Sequence, residues 1–137
     1  MKSNINLFLF LILTICFSCE EQGLFVKCPD CTAEEPVKTE LVVKLNEGNY
    51  GAAILVNVYE GNLEDSVLYS STNASGTEIK ISVTLNKKYT VTAKYYLSDN
   101  EYIAVDSATP KVRYDKEQCD DPCYFVYDKV INLRLRH

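Results

Sequence analysis

From residue 40 onward, apolar and polar residues alternate with a period of two, the spacing of a strand with one buried and one solvated face. The clearest run is EIKISVTLNKKYTVTAKYYL. Ile79, Ile81, Val83 and Leu85 alternate with Lys80, Ser82 and Thr84; after Asn86 to Lys88 the pattern resumes at Tyr89, Val91, Ala93 and Tyr95. The short polar break predicts that these two strands form an antiparallel hairpin. Weaker alternation predicts strands at 40–45, 53–60, 66–71, 101–107, 111–114, 124–127 and 130–136. In the last of these, Ile131, Leu133 and Leu135 should point inward, and Asn132, Arg134 and Arg136 outward. NEGNYG, NASG, SDN and DDP punctuate the gaps with residues that favour turns. No stretch carries the spacing of an amphipathic helix. About seven short strands in one domain, 39–137, predict an all-β fold, a single antiparallel β-sandwich.

The exception to this alternation is the N-terminal run FLFLILTICFSCEEQ. Behind Lys2, apolar residues extend from Ile5 to Phe17, interrupted only by Asn6 and Thr14. The run is roughly 13 residues, short of the roughly 20 that a spanning helix needs, and it matches the apolar core of a secretory signal. The expected organisation is a signal peptide at 1–18, a tether at 19–38 that is acidic and contains two prolines, and the sandwich at 39–137. The tetrapeptide CFSC, with Ser18 in front of Cys19, resembles the lipobox of bacterial lipoproteins. That resemblance implies cleavage before Cys19 and acylation of its side chain. More than one acyl chain would anchor the protein stably in a bilayer. The phenylalanine-rich signal and the pair Glu20-Glu21 resemble outer-membrane lipoproteins of the Bacteroidota, in which acidic residues behind the cysteine direct export to the cell surface. A plain secretory signal is the competing reading, and it would leave Cys19 without an assigned partner.

Within the domain, GTEIKISVTLNKKYTVTAKYY (76–96) resembles the transthyretin-like and carboxypeptidase-regulatory-like sandwiches, in which a Tyr-x-Val-x-Ala strand follows a short loop. The resemblance implies a transthyretin-like topology, and an immunoglobulin-like sandwich would produce nearly the same pattern.

Charge and composition narrow the possible partners. The chain carries 14 Lys+Arg against 19 Asp+Glu, a net −5, and loses one more positive charge if Lys2 is removed. With no basic tract, nucleic acid is an unsuitable partner. The one histidine is His137, so a Ser-His-Asp or Cys-His pair would have to be built on the last residue. No G-x-S-x-G, phosphate loop or H-E-x-x-H occurs. The expectation is a non-enzymatic protein with no cofactor and no resident metal.

Four cysteines remain: Cys28 and Cys31 in CPDC, Cys119 and Cys123 in CDDPC. Disulfides are the leading reading, either cross-linking the tether to the loop before the last strands or closing each pair locally. A tetrathiolate zinc site and a redox C-x-x-C are the alternatives. The acidic stretches at 60–65, 98–101 and 115–121 read as solvated turns, with calcium ligation the sharper alternative. Tyr89 and Tyr95 read as core. Tyr59, Tyr69, Tyr96, Tyr102, Tyr124 and Tyr127 could pack or could stack on sugars. Asp65-Ser66-Val67 and Asp106-Ser107-Ala108 resemble Bacteroidota O-glycosylation acceptors, with Ser66 and Ser107 as attachment points. The functional expectation is a lipid-anchored, non-catalytic module for binding or structural contact at the outer membrane or cell surface. Its alternatives are a glycan-binding accessory of a surface uptake system and an envelope redox or metal protein using the two cysteine pairs.

Overall fold

The computed structural model describes residues 26–47 and 53–136. Nine strands follow one another: β1 (Lys38–Lys44), β2 (Ile54–Glu60), β3 (Leu68–Ala74), β4 (Glu78–Thr84), β5 (Tyr89–Leu97), β6 (Asn100–Ala108), β7 (Lys111–Asp115), β8 (Cys123–Tyr127) and β9 (Val130–Asn132). They form a three-stranded sheet in the order β4-β1-β9, a four-stranded sheet in the order β3-β2-β5-β6, and a separate β7-β8 ribbon. The all-β sandwich expected from the alternation is therefore present. Seven strands make its two faces, and the ribbon is additional.

The core is the set of inward positions on the two sheets. Leu41, Val43, Leu45, Val83, Ile131 and Leu133 meet Ile54, Val56, Val58, Tyr89, Val91, Ala93 and Tyr95 in one cluster. Each fully buried aliphatic side chain contributes about 1.5–3 kcal/mol relative to exposure. Three tyrosine hydroxyls cross between the sheets. The Tyr95 hydroxyl donates to the Leu133 carbonyl at 2.9 Å and accepts from the Asn46 N–H at 3.3 Å. Tyr89 accepts from the Thr84 N–H at 3.1 Å. Tyr69 donates to the Ser82 carbonyl at 2.9 Å and sets its ring edge-on to Tyr89, with centroids 5.3 Å apart. Tyr89 and Tyr95 are core residues, as their parity requires.

Two expectations are corrected. Strands β4 and β5 do not form a hairpin: β4 pairs with β1, from Lys38↔Thr84 to Lys44↔Glu78, whereas β5 lies between β2 and β6. Asn86, with φ 63°, turns the chain across the core, and its N–H donates to the Pro110 carbonyl at 2.7 Å. Both strands carry an apolar inner face, so they oppose each other through side chains instead of pairing along an edge. The sandwich is also not wholly antiparallel, because β9 runs parallel to β1 through Val42↔Val130, Val43↔Ile131 and Lys44↔Asn132.

Boundaries differ where local backbone geometry intervenes. Ser66, with φ 55°, ends a 3-10 turn at Leu63–Asp65, so β3 starts later than expected and extends to the buried Ala74. Beyond Asn132 strand pairing stops, but burial still alternates through Leu133 and the half-buried Leu135. The one tight hairpin of the four-stranded sheet joins β5 to β6. Its two turn residues, Ser98 and Asp99, have φ 49° and 66°, the left-handed pair that matches strand twist.

Tyr95→Phe removes both polar contacts of a buried hydroxyl and strands the Leu133 carbonyl, so it should lower unfolding free energy by about 1–2 kcal/mol, measured by urea titration. Burial also raises the Tyr95 pKa above its ordinary value of 10.0. Stability from this group is complete below that value and is lost as pH climbs through the higher folded-state value. The alkaline decline should be shallower in the phenylalanine variant.

Candidate functional site: a sulfur cluster beside a charged cleft

The segment ahead of β1 and the loop between β7 and β8 meet at one edge of the sandwich. Cys28 is disulfide-bonded to Cys119 and Cys31 to Cys123, with Cα separations of 5.7 and 5.5 Å. Of the arrangements left open by the sequence, cross-pairing is the one observed. Cys28–Asp30 is a single 3-10 turn with Pro29 near its start, and the two cysteines of CPDC are not bonded to each other. The bonds span 91 and 92 residues.

Backbone hydrogen bonds hold the same junction independently of sulfur. Thr32 and Tyr124 exchange a pair, Thr32 N–H to Tyr124 carbonyl at 2.9 Å and Tyr124 N–H to Thr32 carbonyl at 2.8 Å. The Val26 N–H donates to Gln118 Oε1 at 3.0 Å. Asp115, 9% exposed, shapes the loop before Cys119 by accepting the Glu117 and Gln118 N–H groups at 3.2 and 2.8 Å. The result is compact: Cys31 Sγ stands 4.0 Å from Cys119 Sγ, across from its own disulfide partner.

A cleft of about 600 Å³ runs alongside, between the junction, the ribbon and the outer edge of β9. Lys27, Lys44, Lys129 and Arg136 line it, and among the described residues none of them forms an ion pair. Its carboxylates are Asp30, Asp106 and Asp128. Two are committed to the backbone: Asp106 accepts the Asn132 N–H at 3.2 Å and Asp128 the Thr109 N–H at 2.8 Å. Asp106 sits at an inward position of the edge strand β6, opposite Val91 of β5. An inward charge on an edge strand discourages pairing with a foreign strand. In the sequence Asp106 stood out only as part of the Asp106-Ser107-Ala108 acceptor pattern, although its parity with Tyr102 and Ala104 was visible.

The remaining candidates are dispersed. Ser66 is exposed in the left-handed region, and Ser107 is exposed on the outer face of β6. Two of the acidic stretches fold as turns that use their own carboxylates: Asp65 accepts the Asn62 N–H in a capping box, and Asp115 accepts the Glu117 and Gln118 N–H groups; the third, 98–101, is the β5-β6 turn. Tyr96 and Tyr102 occupy opposite faces of their sheet, since Tyr102 pairs with inward Tyr95 and Tyr96 with Glu101. Tyr114 and Tyr124 form a tilted pair on the ribbon at 4.8 Å. On the outer face, Glu101 meets Lys94 at 3.0 Å, which holds the carboxylate below and the amine above their ordinary values. Cys19, the apolar run and His137 lie outside the described residues. Among the described residues no helix is long and apolar enough to cross a membrane.

Replacing all four cysteines by serine should cost about 4–5 kcal/mol on the chain-entropy model for loops of this length. Replacing only Cys31 and Cys123 should cost far less, because the remaining bond already closes the long loop and the second then closes only a few residues. Urea titrations of the two variants against the oxidised parent separate these values.

The chain has no match among protein-family models, curated proteins or solved structures.

Proposed function

We propose that the protein is an exported lipoprotein, held at the outer membrane by acyl chains on Cys19, whose sandwich serves as a non-catalytic module for binding or structural contact. The observation that carries this reading is the cross-paired disulfides. Bonds between segments so far apart in the chain persist in oxidising compartments and are rare where glutathione keeps thiols reduced. That agrees with a chain bearing a signal-like apolar run ending in CFSC. The contact face favoured here is the cleft beside the junction, whose size falls in the range of ligand sites. The pair Glu20-Glu21 favours the cell-surface side.

The test follows the native protein through membrane fractionation and intact-mass measurement. The parent should partition with the outer membrane and carry acyl mass on a chain beginning at Cys19. Cys19→Ala should lose the acyl mass and leave the membrane fraction. A parent that is soluble, or a variant that fractionates unchanged, overturns the anchor.

A further inference from the structure

Beyond the anchored-module reading, the sulfur cluster supports a second chemical state. We propose that, once reduced, Cys28, Cys31, Cys119 and Cys123 form a tetrathiolate site for a soft divalent cation of the zinc class. A zinc–thiolate bond is about 2.3 Å and the geometry tetrahedral, which places ligand sulfurs about 3.8 Å apart. The non-bonded pair Cys31 and Cys119 is already at 4.0 Å, and the sulfurs of Cys31, Cys119 and Cys123 all fall within 4.8 Å of one another. Cys28 lies outside that trio; its sulfur is bonded to Cys119 in the oxidised state, so on reduction it starts beside one ligand and swings toward the other two. The donors come as C-x-x-C and C-x-x-x-C, two close pairs from two segments.

What keeps the sulfurs together after reduction is the hydrogen bonding around them. The Thr32–Tyr124 exchange abuts Cys31 and Cys123, and Asp115 fixes the turn that delivers Cys119. None of the four cysteines belongs to the main hydrophobic cluster, so opening the disulfides leaves the sandwich core in place. Cys28 is exposed and Cys123 buried, so a reductant reaches the first bond from solvent and the site closes over the second.

Disulfide and metal are exclusive occupants. A phosphine reduces each bond to two thiols, taking oxygen from water as it becomes the phosphine oxide, and the water supplies the two protons. Metal binding then displaces the thiol protons, since the ligand is the thiolate.

The experiment uses the full chain, reduced with a phosphine and titrated with Co²⁺ under argon. Expected are thiolate-to-cobalt charge-transfer bands and intense visible ligand-field bands that saturate at one equivalent, bleach on adding Zn²⁺ and are absent from the oxidised protein. Zn²⁺ should also raise the melting temperature of the reduced protein alone. Should reduction unfold the chain, the circular dichroism of the strands should return with the metal. Cys28→Ser and Cys123→Ser should each abolish the tetrathiolate spectrum, whereas Cys16→Ser with Cys19→Ser should keep it. A reduced parent without these bands, or bands surviving in Cys28→Ser or Cys123→Ser, overturns the site.

Discussion

Among the described residues the two sheets share no strand pairing, so what holds one on the other is chiefly contact between side chains. Most of that contact is non-directional aliphatic packing, which favours burial without specifying how one sheet lies on the other. Direction comes from the tyrosine hydroxyls. Tyr95 reaches the backbone beyond β9 and at the end of β1, Tyr89 reaches the end of β4, and Tyr69 reaches the middle of β4. Tyr89 and Tyr95 carry their apolar rings into the core, Tyr69 lays a partly exposed ring against Tyr89, and each spends its polar tip on the opposite sheet's backbone. A phenylalanine could supply the first property and not the second.

The sulfur junction acts on the periphery. It contributes nothing to the central cluster, yet it clamps the segment ahead of β1 beside the start of β8. The same clamp forms one wall of the charged cleft, with Lys27 and Asp30 contributed by the clamped turn itself. Fold closure and this charged cleft are thus built in part from the same few residues.

Which face each strand buries was legible in the sequence. Ile131 and Leu133 were read inward and are fully buried or nearly so, as are Val83, Leu85, Tyr89, Val91, Ala93 and Tyr95. Which edge each strand pairs along was not legible. Alternation is the same for a hairpin, for an arch between sheets, and for parallel or antiparallel neighbours. Thus 79–85 and 89–95 were joined in a pairing they do not make. Ser66 explains the late start of β3 and Asn86 the turn that replaces the hairpin, since positive φ at a non-glycine leaves little trace in composition. The four cysteines were visible as candidates, but their pairing depends on three-dimensional proximity. The cations of the cleft come from separate segments and had no sequence signature at all.

The position of the clamp has a mechanical corollary. Tension on the chain ahead of Cys28 does not arrive first at β1: the covalent bonds divert it to Cys119 and Cys123, and so to the β7-β8 ribbon. From the ribbon the chain leads into β6 and β9, so the load enters the two sheets through those strands and not through the start of β1. A domain pulled from its N-terminal side therefore bears the force first on its one appendage that lies outside the two packed sheets. β1 itself is pulled directly only when both sulfur bonds have broken.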